Sequence, residues 1–276
     1  MFTTRPLTAA ALGLRGRGTF HLAGALAPAP RVAVVGSRAA RRDRLALLGP
    51  AIAALAAGGF ALVSGGALGI DGGAHRAALA AGLPQIAVLP CGADRPYPSQ
   101  HVPLFQSIAA APASGLLFCH PPGREACRAM FASRNAIVIG LARAVVVVEA
   151  ALRSGSHGTG LRALRRELPV AAVLGTPGCA DLVARGATGL PIEPGPFASA
   201  LAAWLARLRG NTGPPAGVQT FPPHLRWLDE ALARAGPRGL CLDALPDPTA
   251  RLVDLLEAER LGLIVESPPG RYRRVG

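Results

Sequence analysis

A chain of 276 residues, half of them hydrophobic and only 4% aromatic, is long enough for one large domain with a small appendage and must build its core from small aliphatic side chains. Its formal charge of +13 comes from arginine alone, because all 29 basic residues are arginines. The absence of lysine argues against a P-loop and kinase-type chemistry, while so many planar guanidinium forks suit a polyanionic partner as well as they suit a plain bias toward Arg, Ala, Gly and Pro.

Residues 1–30 read as a short N-terminal segment, and residues 1–10 lack the basic start and apolar block of a secretory signal. The β-branched run 31–36 reads as a strand, and 41–57 as a helix with Leu45, Leu48, Ile52 and Leu55 at helical spacing. The uncharged stretch 45–70 is long enough to span a bilayer, but Gly58, Gly59, Ser64, Gly65 and Gly66 interrupt it. It therefore reads as a core-facing helix, a turn and a buried strand at 60–64, and no membrane association is expected. Further strands are expected at 85–90, 115–119, 144–149 and 170–174, and helices at 71–81, 135–141 and 159–168. None of the strand runs alternates polar with apolar, which is the pattern of strands buried on both faces.

Alternating strands and helices predict the fold class: α/β, a doubly wound, mostly parallel Rossmann-like sheet over 31–209. Residues 210–221 are rich in Gly and Pro and read as a linker. Beyond it, 222–276 reads as a small winged-helix-like domain, with a helical cap as the alternative. Its elements are helices at 224–235 and 248–261, then strands at 263–266 and 271–275 around a turn at 267–270. The cysteines, Cys91, Cys119, Cys127, Cys179 and Cys241, are odd in number and form no CxxC pair. They predict neither disulfides nor a metal site, and suit a reducing, cytoplasmic setting.

In an open parallel sheet, ligands bind beyond the carboxyl ends of the strands. The loops that follow these strands carry glycines, small hydroxyls and arginines: Gly36, Ser37 and Arg38; Ser64, Gly65 and Gly69; and Ser154, Gly155 and Ser156. Arg134 and Asn135 open a helix before the strand at 144–149. Glycine lets a backbone approach an anion closely, and helix N-termini aim N–H groups at it. These eleven residues are the candidate phosphate-binding set. The first loop has no GxGxxG, which argues against a nicotinamide site, and no catalytic residue or cofactor is expected.

At these loops the sequence resembles the DNA-processing protein A family, also called DprA or Smf. The matching stretches are VAVVGSR from Val32, SGGALGIDGGAHRAAL from Ser64, IAVLPCGADRPYP from Ile86, FASRNAIVIGLARAVVVVEA from Phe131 and RSGSHGTGLRAL from Arg153. They agree in order and spacing over roughly 31–209, and LLEAERLGLIVESPPGRYRR from Leu255 is similar to the winged-helix end of many members. The resemblance implies a non-enzymatic homodimer that binds single-stranded DNA and loads RecA recombinase onto incoming strands during natural transformation. This chain departs from the usual pattern where it has Gly66, Leu68, Ser99, Ala132 and Ser133, so its basic rim is thinned. The loop 154–160 is also similar to that of the LOG family of nucleoside-monophosphate phosphoribohydrolases, but Leu161 and Arg162 stand where that chemistry needs a carboxylate.

Several residues carry two readings. Arg38 would clamp a phosphate, or pair with Asp71 or Glu149. Arg134 would answer a nearby anion, or be a solvated surface arginine. Asp71 reads as a stabiliser of its helix start, with His75 as a possible partner. His157 would touch a phosphate or base, and Tyr97 would stack on a base or pack its turn. Arg271, Arg273 and Arg274 on the terminal hairpin would touch a duplex backbone, or form a solvated edge.

Overall fold

The computed structural model describes residues 2–14, 18–210, 225–235, 240–241, 255, 258, 264–266 and 271–274. The chain divides into two compact units, Met1–Leu14 with Gly18–Gly213, and Arg15–Arg17 with Pro214–Gly276.

In the first unit, seven strands run parallel: β3 (Arg31–Val35), β4 (Ala61–Ser64), β5 (Gln85–Leu89), β6 (Gly115–Phe118), β7 (Ala144–Val147), β8 (Val170–Val173) and β9 (Thr188–Leu190). β1 (Arg5–Thr8) and β2 (Thr19–Gly24) add an antiparallel pair beside β6, giving the order β1-β2-β6-β5-β4-β3-β7-β8-β9. The expected doubly wound, mostly parallel sheet is present, and residues 5–8 and 19–24 extend it.

The strands are apolar throughout because both faces are covered. Successive side chains point to opposite faces of a strand. Val32 and Val34 accordingly join one core with helices α2 (Leu48–Ala57), α3 (Ile70–Ala80) and α8 (Pro194–Gly210), while Ala33 and Val35 join another with α5 (Met130–Gly140), α6 (Gly155–Arg165) and α7 (Pro177–Ala184). A further cluster forms where α4 (Val102–Ala110) packs Leu104, Phe105 and Ile108 against Leu89, Leu116 and Phe118.

Three helices depart from their expected bounds. The helix expected at 41–57 is two, α1 (Arg42–Leu45) and α2, parted at Ala46 and Leu47. Pro50 explains the break: in one continuous helix its ring would meet the carbonyl of Ala46, whereas in the first turn of α2 its missing N–H costs nothing. α5 begins at Met130 rather than 135, since Met130, Arg134 and Val138 all point inward. α6 begins at Gly155 rather than 159, because the Ser154 hydroxyl caps it by accepting from His157 N at 3.2 Å. α4, α7, α8 and β9 were not among the expected elements. In α8 the signal was there, with Phe197, Leu201, Trp204 and Leu205 buried on one stripe.

The second unit holds α9 (Arg226–Ala235) and a three-stranded antiparallel sheet in which β12 (Arg271–Arg274) lies between β10 (Leu240–Cys241) and β11 (Ile264–Glu266). Leu225, Leu228 and Leu232 are buried with Leu240, Leu255, Ala258, Ile264 and Tyr272. β11 and β12 pair as the expected terminal hairpin. The expected linker beyond Gly210, the turn 267–270 and most of the helix 248–261 lie outside the described residues. All five cysteines are free. No described helix is long and apolar enough to cross a membrane.

Candidate functional site

From β3 the chain winds outward through β4 and β5 to β6 on one side, and β7, β8 and β9 are laid down on the other. The carboxyl ends of β3 and β7 thus flank the point where winding reverses, and such a point opens a crevice. A cleft of about 1000 Å³ lies there.

Nine of the eleven expected residues line it: Gly36, Ser37, Arg38, Gly65, Arg134, Asn135, Ser154, Gly155 and Ser156. Ser64 and Gly69 do not. Ser64 is fully buried, its hydroxyl donating to Val34 O at 2.6 Å, so it ties β4 to β3. Gly69 lies beneath the first loop at φ +73°, where a Cβ would overlap the carbonyls of Ser37 and Arg38. The next residue, Ile70, donates its N–H to Ser37 O at 3.1 Å. Ser64 and Gly69 therefore shape the loops behind the cleft.

Arg134 is neither a surface cation nor a free anion-seeker. It is 3% exposed, with Nη1 3.8 Å from Asp71 Oδ2 and 3.4 Å from Val88 O. Gly65 makes room for it, since a Cβ there would overlap the guanidinium. Burial pulls the Arg134 guanidinium down from its ordinary value, and Asp71 opposes that. The Asp71 carboxyl is raised by burial, against the pull of Arg134 and of backbone N–H groups of Ala67, Gly36 and Gly65. Asp71 lies in the first turn of α3 but makes no capping hydrogen bond to it; it gathers the loops after β3 and β4 around one buried ion pair.

His75 does not pair with Asp71. Its Nδ1 lies 2.7 Å from the Gln85 amide, which is oriented so that its nitrogen donates to the ring. Full burial brings the ring down to about 4, so it is neutral. Burial also pushes Cys91 up to about 11 and Cys119 up to about 12.

Arg38 pairs with neither Asp71 nor Glu149. Asp71 is taken by Arg134, and Glu149 Oε2 accepts from Arg41 N at 3.2 Å. Instead the exposed Arg38 guanidinium lies 4.6 Å from the ring centroid of Phe131. Tyr97, 46% exposed, meets the same ring edge-on at 5.7 Å. With Leu68 and Pro98, these side chains form an aromatic niche opening beside the cleft.

At the opposite wall, the hydroxyls of Ser154 and Ser156 serve the start of α6. They lie 3.1 Å apart, and Ser156 Oγ donates to Glu149 O at 3.2 Å. The N–H groups of Gly155 and Ser156 have no backbone acceptor among the described residues, as the first turn of a helix requires. An ideal Cβ at Gly155 or Gly158 would meet nothing within 4 Å. Asn135 donates to Thr159 Oγ1 at 3.0 Å and so locks α5 to α6. His157 faces away from the cleft: Nδ1 accepts from Arg153 N at 3.2 Å, and Nε2 lies 2.8 Å from Asp181 Oδ2.

The sequence reading missed Arg128, Phe131 and Arg165 as part of this cleft and noticed Arg162 only for the carboxylate it replaces. Arg162 and Arg165, three residues apart, could have been placed on one helix face. Starting the helix at 159 hid which way that face looks.

The model of the family described as DNA recombination-mediator protein A matches residues 14–193. The chain belongs to that family. A DprA relative from Mycobacterium tuberculosis is 46% identical over 167 residues, which cover 58% of this chain and 42% of the relative. The chain therefore spans about two-fifths of that relative's length. Among solved structures, DNA processing protein A from Streptococcus pneumoniae is 33% identical, with a TM-score of 0.59 over 66% of this chain and 65% of its own. That from Helicobacter pylori, whose structure concerns its single-stranded DNA binding mode, is 26% identical, with a TM-score of 0.63 over 73% of this chain and 97% of its own.

Proposed function

We propose that the cleft binds single-stranded DNA and that the protein is a non-enzymatic, cytoplasmic mediator of recombination, acting as a homodimer that loads RecA recombinase onto incoming strands. The observation that carries the binding site is the charge of the cleft lining, which among the described residues holds five arginines and a single carboxylate, Asp71. Asp71 is committed to Arg134, which leaves Arg38, Arg128, Arg162 and Arg165 to face a polyanion. Phosphates would sit against Arg38 and the open N–H groups at the start of α6. A splayed base would stack on the niche of Tyr97 and Phe131, which a paired base could not reach without leaving its duplex. The dimer and the recombinase step rest on membership of the family. A contact between duplex DNA and the tail, through the arginine-rich strand β12, rests on charge.

Phosphoribohydrolase chemistry is disfavoured because no carboxylate follows Thr159, where Leu161 and Arg162 stand. Titrating labelled single-stranded and duplex oligonucleotides at two salt concentrations tests the proposal. Tighter binding of the single strand, weakening steeply with salt, is expected. Equal affinity for both forms, or none at low salt, overturns it. Release of adenine from AMP at an enzymatic rate would overturn the non-enzymatic reading.

A further inference from the structure

We propose that Arg128, Arg162 and Arg165 form a second phosphate-binding row, which holds the backbone of the nucleotides next to those at Arg38 and the start of α6. The inference rests on the reading of the cleft as a single-strand site and adds the direction in which the strand leaves it.

The three arginines line the cleft from two elements. Arg162 and Arg165 lie one turn apart on α6, and Arg128 comes from the segment between β6 and α5. At 1.5 Å per residue, Arg162 is about 10 Å along the helix from Gly155, more than one nucleotide step of a stacked strand. A phosphate at the start of α6 therefore leaves Arg162 and Arg165 for the phosphates that follow.

The α6 side of the cleft is rigid. The Ser154 cap holds the start of α6, and Asn135 ties α6 to α5 through Thr159. Arg162 Nη1 donates to Ala132 O at 2.8 Å, which fixes the guanidinium and leaves its other N–H groups available. An anchored arginine loses less side-chain freedom on gripping a phosphate than a floppy one does.

No carboxylate pairs with Arg128, Arg162 or Arg165 among the described residues. Cations in the last turn of α6 do complement the helix dipole. A dipole is served equally on any face, however, and does not account for two arginines turned to the same cleft as Arg128 and Arg38.

The test compares wild type, Arg162→Gln/Arg165→Gln and a control, Arg5→Gln/Arg143→Gln, which removes the same charge from exposed sites off the cleft lining. Binding of oligothymidylates of increasing length is measured across a salt series, with thermal unfolding to show that all three proteins are folded. The row predicts that the α6 variant binds roughly tenfold or more weakly at low salt, two charge-assisted contacts being lost. Its log–log salt slope should be shallower by about 1.4, at about 0.7 per phosphate contact on a single strand. The affinity that wild type gains on going from short to longer oligomers should be lost with it, and the control should behave as wild type. If wild type binds and the α6 variant keeps the wild-type slope and length dependence, the row is overturned while the cleft stands. Equal losses in the α6 variant and the control would reduce the effect to net charge and also overturn it. No binding by wild type at low salt removes the cleft reading and the row together.

Discussion

Arg38 and Arg134 carry the same charge and stand against the same ring, Phe131, yet their substitution should give opposite phenotypes. Arg38 is exposed and has no ion pair among the described residues, so Arg38→Ala should leave thermal unfolding almost unchanged. In a salt titration with single-stranded DNA the same variant should bind more weakly to all sequences and lose about 0.7 of log–log slope. Arg134→Ala strands the Asp71 carboxylate in the interior, and breaking a buried pair from one side costs about 3–5 kcal/mol. Denaturant unfolding should show that loss, and the double variant Asp71→Asn/Arg134→Ala should recover part of it. His75 sets a pH dependence. Its folded value of about 4 lies below the unfolded 6.5, so the stability from keeping it neutral is fully present above pH 6.5 and is lost as pH falls to about 4. The stability difference between wild type and His75→Leu should therefore shift by about 3 kcal/mol across that window, against the wild type on the acid side.

At the scale of the element, α6 is a weaker helix than it needs to be. Gly158 lies within it with open space where a Cβ would go, and Ala there should stabilise the helix by about 0.5–1 kcal/mol. On the proposed phosphate site, the glycine would let a phosphate come close to the start of α6. Gly158→Ala is therefore expected to raise the unfolding temperature and to lower affinity for single-stranded DNA, two readouts that a purely structural glycine would not move in opposite senses. Gly69 is the converse case. At φ +73° and ψ −125°, with two carbonyls where a side chain would begin, it cannot take a Cβ without displacing the loop that carries Arg38. The spacing of apolar residues revealed the helices before and after β4. It did not reveal the break at Ala46 and Leu47 or the cap at Ser154, because both depend on where a helix starts rather than on which face it buries.

For the whole molecule, the division into two units predicts that a chain ending at Gly210 keeps its sheet and its cleft. Such a truncation should unfold cooperatively and still bind single-stranded DNA, with loss of any duplex binding that the tail supplies. If it precipitates or unfolds, the units are not independent. The order of residues alone is enough for the parallel sheet and its ligand-binding edge. Unbroken β-branched runs can be buried only between two helix layers, and the strand-to-helix loops of such a sheet must gather at the carboxyl ends. Nine of the eleven residues named line one cleft, seven of them from those loops and two, Arg134 and Asn135, from α5. Which arginines lack a carboxylate partner depends on packing. A guanidinium looks the same in sequence whether it faces solvent or a carboxylate 63 positions away, and only the fold brings Asp71, at the start of α3, within 3.8 Å of Arg134 on α5 and leaves Arg38 in the open. The place of Arg128, Arg162 and Arg165 in the cleft lining was hidden for the same reason, because a helix face acquires a meaning only when the element packed beside it is known.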